Sequence, residues 1–273
     1  MKKSSGNASK GGSRRGSSTS SGKNAANQTA RAQRGGCRRL CDPFKFDRQL
    51  LAENLPRLAL GEGDNHRWDR GLRLAGADEA GRGCLAGPLV AAAVVFDYAR
   101  APFPLLKGLT DSKSLTPAAR DKMYSAILQV ASRVAWVAVS PASIDERGLH
   151  RSNIAALCRV FELLAGQYEL GVVDAFDLRR PDLEVRAVVG ADYKSAAVAA
   201  ASVVAKVVRD RLMRTLHNDH PEYGFADHVG YATEQHREAL RRHGPSVIHR
   251  LSFQGVATAQ LELWEEEEEE AGF

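Results

Sequence analysis

The stretch Tyr193–Leu216 is the feature that most constrains the fold. It is rich in Ala and Val, and its first half is apolar on nearly every side. A helix with that pattern has to be covered by other elements to be stable in water. Elsewhere, short β-branched runs alternate with amphipathic ones, which predicts an α/β domain whose sheet is covered by helices. The predicted strands are Leu72–Ala77, Leu89–Phe96, Arg133–Ser140, Gly171–Phe176 and Val185–Val189, and the other predicted helices are Ala118–Val130, Asn153–Gln167 and Thr233–Arg242.

Two stretches of unusual charge flank this domain. Residues 1–40 carry ten Lys or Arg and no acid and are rich in Ser and Gly, so we expect a disordered basic tail. It is either a solubilising spacer or a non-specific contact to nucleic acid, and the sequence leaves both open. The run Glu265–Glu270 predicts an acidic tail over residues 256–273. The folded domain is therefore expected at residues 72–255, after a lead-in segment at residues 41–71.

The apolar runs and the cysteines indicate where the protein works. The N-terminus is basic but lacks the apolar stretch of a secretory signal. The longest apolar runs, Leu89–Phe96 and Ala196–Ala205, are too short to cross a bilayer. The four cysteines have neither disulfide nor zinc-site spacing, which favours free thiols. We therefore expect a cytoplasmic protein with no membrane association. The cysteines are Cys37, Cys41, Cys84 and Cys158.

Four acids lie at strand ends or next to a helix. Asp78 and Glu79 end the first predicted strand, Asp174 lies inside an apolar strand, and Asp192 directly precedes the long helix. Singly, an adjacent pair of acids is often solvated, and Asp192 suits a helix N-cap. Asp174 is different, because a buried carboxylate is costly unless it is paired or bound to a metal. Together the four form an oxygen-only ligand set that suits Mg²⁺ or Mn²⁺.

The glycine-rich turn after Glu79 allows two interpretations. Neighbouring residues in a regular strand point to opposite faces, so we expect this turn to break the strand and let Asp78 and Glu79 converge. The glycines would also let the backbone approach a phosphate or a sugar closely. Alternatively, Gly81-x-Gly83-x-x-Ala86 formally matches a dinucleotide-binding fingerprint. Two adjacent carboxylates and a Val-rich continuation do not favour that alternative.

The stretch Asp78–Gly83, DEAGRG, resembles the D-E-x-G-R-G signature of the ribonuclease HII family. Most of residues 70–255 share the resemblance, and further motifs follow in family order. The departures are Cys84 in place of proline, Ala175 in place of glycine, and Val229 in place of lysine. The further motifs are Asp111–Leu115, Asp174, Ala191–Ser195, Ala199–Asp210, Gly230–Tyr231 and His249–Phe253.

This resemblance implies a ribonuclease H-like layered fold, with a central mixed sheet covered by helices and a C-terminal helical segment. It implies an endonuclease that hydrolyses the RNA strand of RNA–DNA hybrids and also cuts 5′ of single ribonucleotides in duplex DNA, leaving 3′-hydroxyl and 5′-phosphate ends. A non-catalytic hybrid-binding protein is the alternative, but it would not need four intact carboxylates. We expect a monomer whose partners are such nucleic acids.

The resemblance also implies roles for individual residues. The carboxylates of Asp78, Glu79, Asp174 and Asp192 would be catalytic and would hold one or two Mg²⁺ or Mn²⁺ ions. The backbone of the glycine turn would sense the ribose 2′-hydroxyl, the tyrosine would stack beneath a sugar, and the serine and lysine would hold phosphates. These substrate-binding residues are Gly81, Arg82, Gly83, Ser112, Lys113 and Tyr231.

Overall fold

The computed structural model describes residues 42–59, 72–110 and 112–257. The predicted basic tail, residues 60–71 of the predicted lead-in and residues 258–273 of the predicted acidic tail lie outside the described residues. So do Asp111, Cys37 and Cys41. Cys84 and Cys158 are described, and both are buried free thiols.

A five-stranded mixed sheet forms the centre of the domain, in the order β3-β2-β1-β4-β5. The antiparallel part pairs β1 with β2 and β2 with β3, whereas β4 and β5 add to β1 in parallel. All five predicted strands are confirmed, although β1 is longer than predicted and β4 is shorter. The strands are β1 (Arg73–Ala80), β2 (Leu89–Asp97), β3 (Arg133–Val139), β4 (Leu170–Asp174) and β5 (Val185–Val188).

Helices surround the sheet, and the predicted ones are present. The sequence analysis did not identify the helices Pro43–Ala59, Pro141–Arg147 and Phe225–His228. The long helix α6 begins later than predicted, because Ser195 caps its N-terminus by accepting from the amide of Val198 at 3.3 Å. The α-helices are α1 (Pro43–Ala59), α2 (Pro117–Val130), α3 (Pro141–Arg147), α4 (Leu149–Leu163), α5 (Ala191–Lys194), α6 (Ala196–Asp219), α7 (Phe225–His228) and α8 (Glu234–His243). Within the described ranges, no helix is long and apolar enough to cross a membrane.

Each face of the sheet has its own apolar core. Helix α6 packs on one face together with α1 and α2, and α4 covers the other. Helix α6 approaches β1 so closely that a Cβ atom on Gly76 would lie 2.2 Å from the backbone of Ala197 and Val198. The small side chains of α6 and the glycine of β1 therefore permit a backbone contact that larger residues would prevent.

A third apolar cluster lies beyond the end of β1. It joins the glycine turn to the C-terminal part of α6 and to α7 and α8 through Leu85, Met213, Phe225 and Leu240. The predicted C-terminal helical segment is thus present, and it packs directly against the glycine turn.

Candidate active site

A cavity of about 400 Å³ lies at the end of β1, between the glycine turn and α6. All ten residues that the sequence analysis singled out line it. The lining also includes residues that it did not single out, such as Phe176, Ser202 and Lys206. The ten are Asp78, Glu79, Gly81, Arg82, Gly83, Ser112, Lys113, Asp174, Asp192 and Tyr231.

The glycine turn ends β1 at Ala80, so the strand continues past both acids. Antiparallel pairing with β2 continues through Asp78, Glu79 and Ala80. The two carboxylates consequently lie on opposite faces of the strand: Asp78 is near Ser202 of α6, whereas Glu79 is near Asn153 of α4. Both acids nevertheless line the same cavity, because they lie near the end of β1.

Burial perturbs both of these acids. Burial, reinforced by the nearby charge of Glu79, raises the pKa of Asp78 from 3.8 to about 7. Burial also raises the pKa of Glu79, and the guanidinium of Arg82 opposes that effect. The Nη1 atom of Arg82 donates to Oε1 of Glu79 at 3.2 Å. The pair of acids therefore costs the fold free energy, and a cation in the cavity would reduce that cost.

Asp174 and Asp192 come to the cavity from the neighbouring parallel strand and the short helix that follows β5. The Oδ1 atom of Asp174 accepts the amides of Gly190 and Ala191 at 2.8 and 2.9 Å. These two bonds supply the pairing that the apolar surroundings of Asp174 require. Asp192 lies in α5, is buried, and does not cap the long helix.

The donor set fits a hard divalent cation, because all four acidic side chains line the cavity and offer oxygen ligands. Among the described residues, no three acidic, histidine or cysteine side chains are already gathered closely enough to hold an ion together. The opposite orientations of Asp78 and Glu79 explain this spacing, because repelling carboxylates on two faces of a strand do not meet by themselves.

Two buried arginines hold the glycine turn in place through its carbonyl groups. The guanidinium of Arg209 donates to Pro88, Val229 and Ala86 at 2.9–3.1 Å. A side chain on Gly81, whose φ is +92°, would lie only 2.0 Å from Nε of Arg209. The glycine is therefore required both by its backbone conformation and by the arginine.

Arg250 holds the same turn from the C-terminal segment. Its Nε and Nη2 atoms donate to the carbonyl of Gly87 at 3.1 and 2.9 Å, and Nη1 donates to that of Arg82 at 3.0 Å. Burial, together with the charge of Arg209, lowers the pKa of Arg250 to about 10. Sequence reasoning noted both arginines only as letters of family motifs, because no local pattern distinguishes a buried carbonyl clamp from a surface phosphate contact.

Ser112 and Lys113 approach the cavity from a short 3₁₀ turn. The hydroxyl groups of Ser112 and Ser202 are 2.8 Å apart, which links this turn to α6 and to Asp78. Arg120 fixes the turn by donating to the carbonyls of Ser112 and Leu115 at 3.0 and 2.9 Å. Lys113 is thus carried on a turn that is anchored on both sides, and it lowers the pKa of Asp78.

Tyr231 lies at the rim of the cavity with 43% of its surface exposed. Two cations of α6 lie beside its ring, with Nζ of Lys206 at 5.1 Å and the guanidinium carbon of Arg209 at 6.0 Å from the centroid. These cation–π contacts help to hold the ring in place, and part of the ring remains exposed.

The three residues that depart from the family pattern differ in backbone conformation and burial. Ala175 and Val229 both have positive φ values, 56° and 45°, which non-glycine residues rarely adopt. Cys84 is fully buried. The alternative of a dinucleotide-binding site is wrong. That motif needs a helix directly after the glycine turn, and strand β2 follows the turn instead.

Comparison with known proteins identifies the family of this chain. The family model described as Ribonuclease HII matches residues 75–256. The Ribonuclease HII of Salinispora tropica is 48% identical over 190 residues, which cover 69% of this chain and 70% of that protein. That of Rhizobium etli is 42% identical over 220 residues, covering 80% and 91%. The crystal structure of ribonuclease H2 from Pyrococcus horikoshii matches with a TM-score of 0.62 at 28% identity, over 71% of this chain and 99% of that one. The chain therefore belongs to the ribonuclease HII family and is a ribonuclease H, a hydrolase that cleaves the RNA strand of RNA–DNA hybrids.

Proposed function

We propose that this ribonuclease also cuts on the 5′ side of a single ribonucleotide embedded in duplex DNA, by in-line attack of water that leaves a 3′-hydroxyl and a 5′-phosphate. The observation that carries the proposal is the convergence of four carboxylates and the glycine turn on one cavity. An enzyme that only needed to recognise a long hybrid could read its overall shape. A main-chain turn beside the acids suits recognition of one sugar.

The four carboxylates of Asp78, Glu79, Asp174 and Asp192 would hold one or two Mg²⁺ or Mn²⁺ ions. When bound, such ions lower the pKa of an attacking water and stabilise the leaving oxygen. Asp78 and Glu79 must be deprotonated to serve as ligands. Without a bound ion the pKa of Asp78 is about 7, so protons compete with the metal for this carboxylate below neutral pH.

Gly83 supports direct contact between the glycine turn and a sugar. A Cβ atom there would meet no protein atom within 4 Å, and its φ is not in the left-handed region. The fold itself therefore does not require glycine at this position, whereas close approach of a ribose 2′-hydroxyl would. Tyr231 would stack beneath the neighbouring sugar, and Ser112 and Lys113 would bind phosphates without reading sequence.

A cleavage assay tests the chemistry. A labelled DNA duplex with one ribonucleotide is incubated with the protein and Mg²⁺, Mn²⁺ or EDTA. We expect a single cut 5′ of the ribonucleotide with either metal and none in EDTA. Asp174→Asn should abolish cutting but retain measurable binding. Near-normal turnover of that variant, or equal cutting in EDTA, would contradict the proposed mechanism. Binding by the unaltered protein without any cutting would favour the hybrid-binding alternative.

A matched pair of glycine variants tests the sugar contact. Gly81→Ala introduces a clash with Arg209, so both its melting temperature and its activity should fall. Gly83→Ala meets open space in the protein, so its melting temperature should be unchanged while cutting at a lone ribonucleotide is lost. If Gly83→Ala cuts normally, the turn does not contact the sugar at that residue.

Tyr231→Ala tests the contribution of stacking to substrate choice. A lone ribonucleotide offers one register, so a misplaced sugar cannot be compensated by binding elsewhere. A long hybrid offers many registers, some of which still bring a phosphate to the carboxylates. We therefore expect Tyr231→Ala to impair cutting at a lone ribonucleotide much more than cutting in a long hybrid. Equal losses on the two substrates would argue against the discrimination.

A further inference from the structure

Three buried histidines support the backbone of Tyr231 from behind. His228, His236 and His249 are at most 7% exposed, and they pack around Phe225 in the C-terminal cluster. The rings of His228 and His236 stack with their centroids 4.5 Å apart. None of the three lines the active-site cavity, so a direct contact with substrate is not their role.

A chain of hydrogen bonds passes through two of these rings to Tyr231. The amide of Ser246 lies 2.9 Å from Nδ1 of His249, and Nε2 of His249 lies 3.0 Å from Nε2 of His236. At the other end, Nδ1 of His236 lies 2.9 Å from the carbonyl oxygen of Tyr231.

The backbone groups at the two ends fix every proton in this chain. An amide can only donate, so Nδ1 of His249 accepts from Ser246 and the ring carries its proton on Nε2. A carbonyl can only accept, so His236 carries its proton on Nδ1 and donates it to Tyr231. The contact in the middle is then a donation from Nε2 of His249 to Nε2 of His236. Both ends independently demand the same pair of neutral tautomers.

The third ring, that of His228, binds the main chain at Gly230, one residue before Tyr231. The amide of Gly230 donates to Nδ1 of His228 at 3.2 Å, so Nε2 of His228 carries the proton and donates to the carbonyl of Tyr223 at 2.7 Å. The amide of Gly230, one residue before Tyr231, and the carbonyl of Tyr231 itself are thus each bound to a buried imidazole. Val229, immediately upstream, is held at a positive φ, so this segment is not in a conformation it would adopt unaided.

We propose that His236 is a positioning residue of this ribonuclease, which acts through Tyr231: the relay Ser246–His249–His236 fixes the main chain of Tyr231 so that its ring stands at the rim of the active-site cavity. This inference rests on the proposed substrate contact of Tyr231. It assigns a function in substrate binding to a histidine that touches neither the substrate nor the catalytic carboxylates. Burial lowers the pKa of His236 to about 4 and that of His249 to about 3, consistent with neutral rings at working pH.

Two substitutions of His236 separate its two bonds. The amide nitrogen of asparagine occupies the place of Nδ1, so His236→Asn keeps the donor to Tyr231 and loses the bond to His249. Glutamine reaches only the place of Nε2, so His236→Gln keeps the acceptor for His249 and loses the donor to Tyr231. Both replacements are smaller, polar and neutral, which makes each a control for the other in thermal unfolding.

The kinetic test measures KM and kcat on a duplex with one ribonucleotide. We expect His236→Gln to raise KM about ten-fold with little change in kcat, since one buried hydrogen bond is lost. His236→Asn should raise KM no more than about three-fold. The melting temperatures of the two variants should decrease by similar amounts. In a Tyr231→Ala background, His236→Gln should add no further loss. Equal KM values for the two His236 variants, or a full additional loss in that background, would overturn the proposal.

Two further results keep the inference separate from the proposed function. If Tyr231→Ala itself cuts normally, the substrate contact of Tyr231 and the relay are both refuted. If Tyr231→Ala is impaired but the His236 variants are not, only the relay is refuted. Should the variants fail to fold, long-range ¹H–¹⁵N spectra of the unaltered protein test the geometry: His236 must be the Nδ1–H tautomer and His249 the Nε2–H tautomer, and any other pair contradicts the proposal.

Discussion

Replacing Asp78 with asparagine should stabilise the protein while removing its activity. Burial and the charge of Glu79 raise the pKa of Asp78 from 3.8 to about 7. This is a difference of about 3 units, and each unit corresponds to about 1.4 kcal/mol, so the ionised side chain costs the folded state up to about 4 kcal/mol. Because Asp78 keeps some contact with solvent, we expect Asp78→Asn to gain about 2–4 kcal/mol.

The sign of the pH dependence follows from the direction of the shift. Between about pH 4 and pH 7 the folded state binds more protons at Asp78 than the unfolded state does, so the stability of the unaltered protein falls as pH rises through this window. The advantage of Asp78→Asn should therefore be almost complete at pH 8 and about 40% as large at pH 5. Urea unfolding in EDTA at these two pH values measures it.

The control is Asp219→Asn, which neutralises an exposed acid at the end of α6 and should change stability by less than about 0.5 kcal/mol. Added Mg²⁺ or Mn²⁺ should raise the unfolding midpoint of the unaltered protein more than that of Asp78→Asn, because it binds the carboxylate of the folded state. If Asp78→Asn is no more stable than Asp219→Asn at pH 8, burial does not strain this carboxylate, and the electrostatic argument for the site fails.

Three further outcomes are expected. Ala175→Gly should raise the unfolding free energy by about 0.5–1 kcal/mol, because Ala175 has a φ of 56°; a loss in urea unfolding would contradict this. The unaltered protein should lose about 1–2 kcal/mol of its stability advantage over His249→Asn between pH 7 and pH 5. The pKa of His249 is about 3 in the folded protein, so at pH 5 this histidine is protonated only in the unfolded state. A constant stability difference would show that His249 does not titrate on unfolding. Deleting residues 1–36 should leave turnover at saturating substrate unchanged, weaken binding at low salt and flatten its salt dependence; an unchanged affinity and slope would identify the tail as a spacer.

The cytoplasmic location, the monomeric state and the boundaries of the tails stay predictions. Fractionation, sedimentation and limited proteolysis would measure them. Proteolysis is informative for the basic tail, since cleavage confined to residues 1–40 would support the proposed domain boundary.

Local sequence patterns were sufficient to predict the layered α/β architecture and the chemistry of the site. Strands and helices follow from periodicity over a few residues, as in the apolar first half of the helix that became α6. The oxygen-only donor set follows from residue types alone, since the side chains of Asp78, Glu79, Asp174 and Asp192 offer the same ligands wherever they lie. Such properties are local, and the structure leaves them unchanged.

The tertiary structure decided how these residues are held. Asp78 and Glu79 lie on opposite faces of the strand because pairing with β2 continues as far as Ala80. Arg250 donates to the carbonyl of Arg82, which lies 168 residues earlier in the chain. A local sequence pattern cannot predict a contact over that separation. The tautomers of His236 and His249 are likewise set by backbone groups that meet only in the folded chain. Local sequence specifies which groups are present, whereas long-range packing specifies which of them become neighbours, and the electrostatics and the positioning in this site depend on those neighbours.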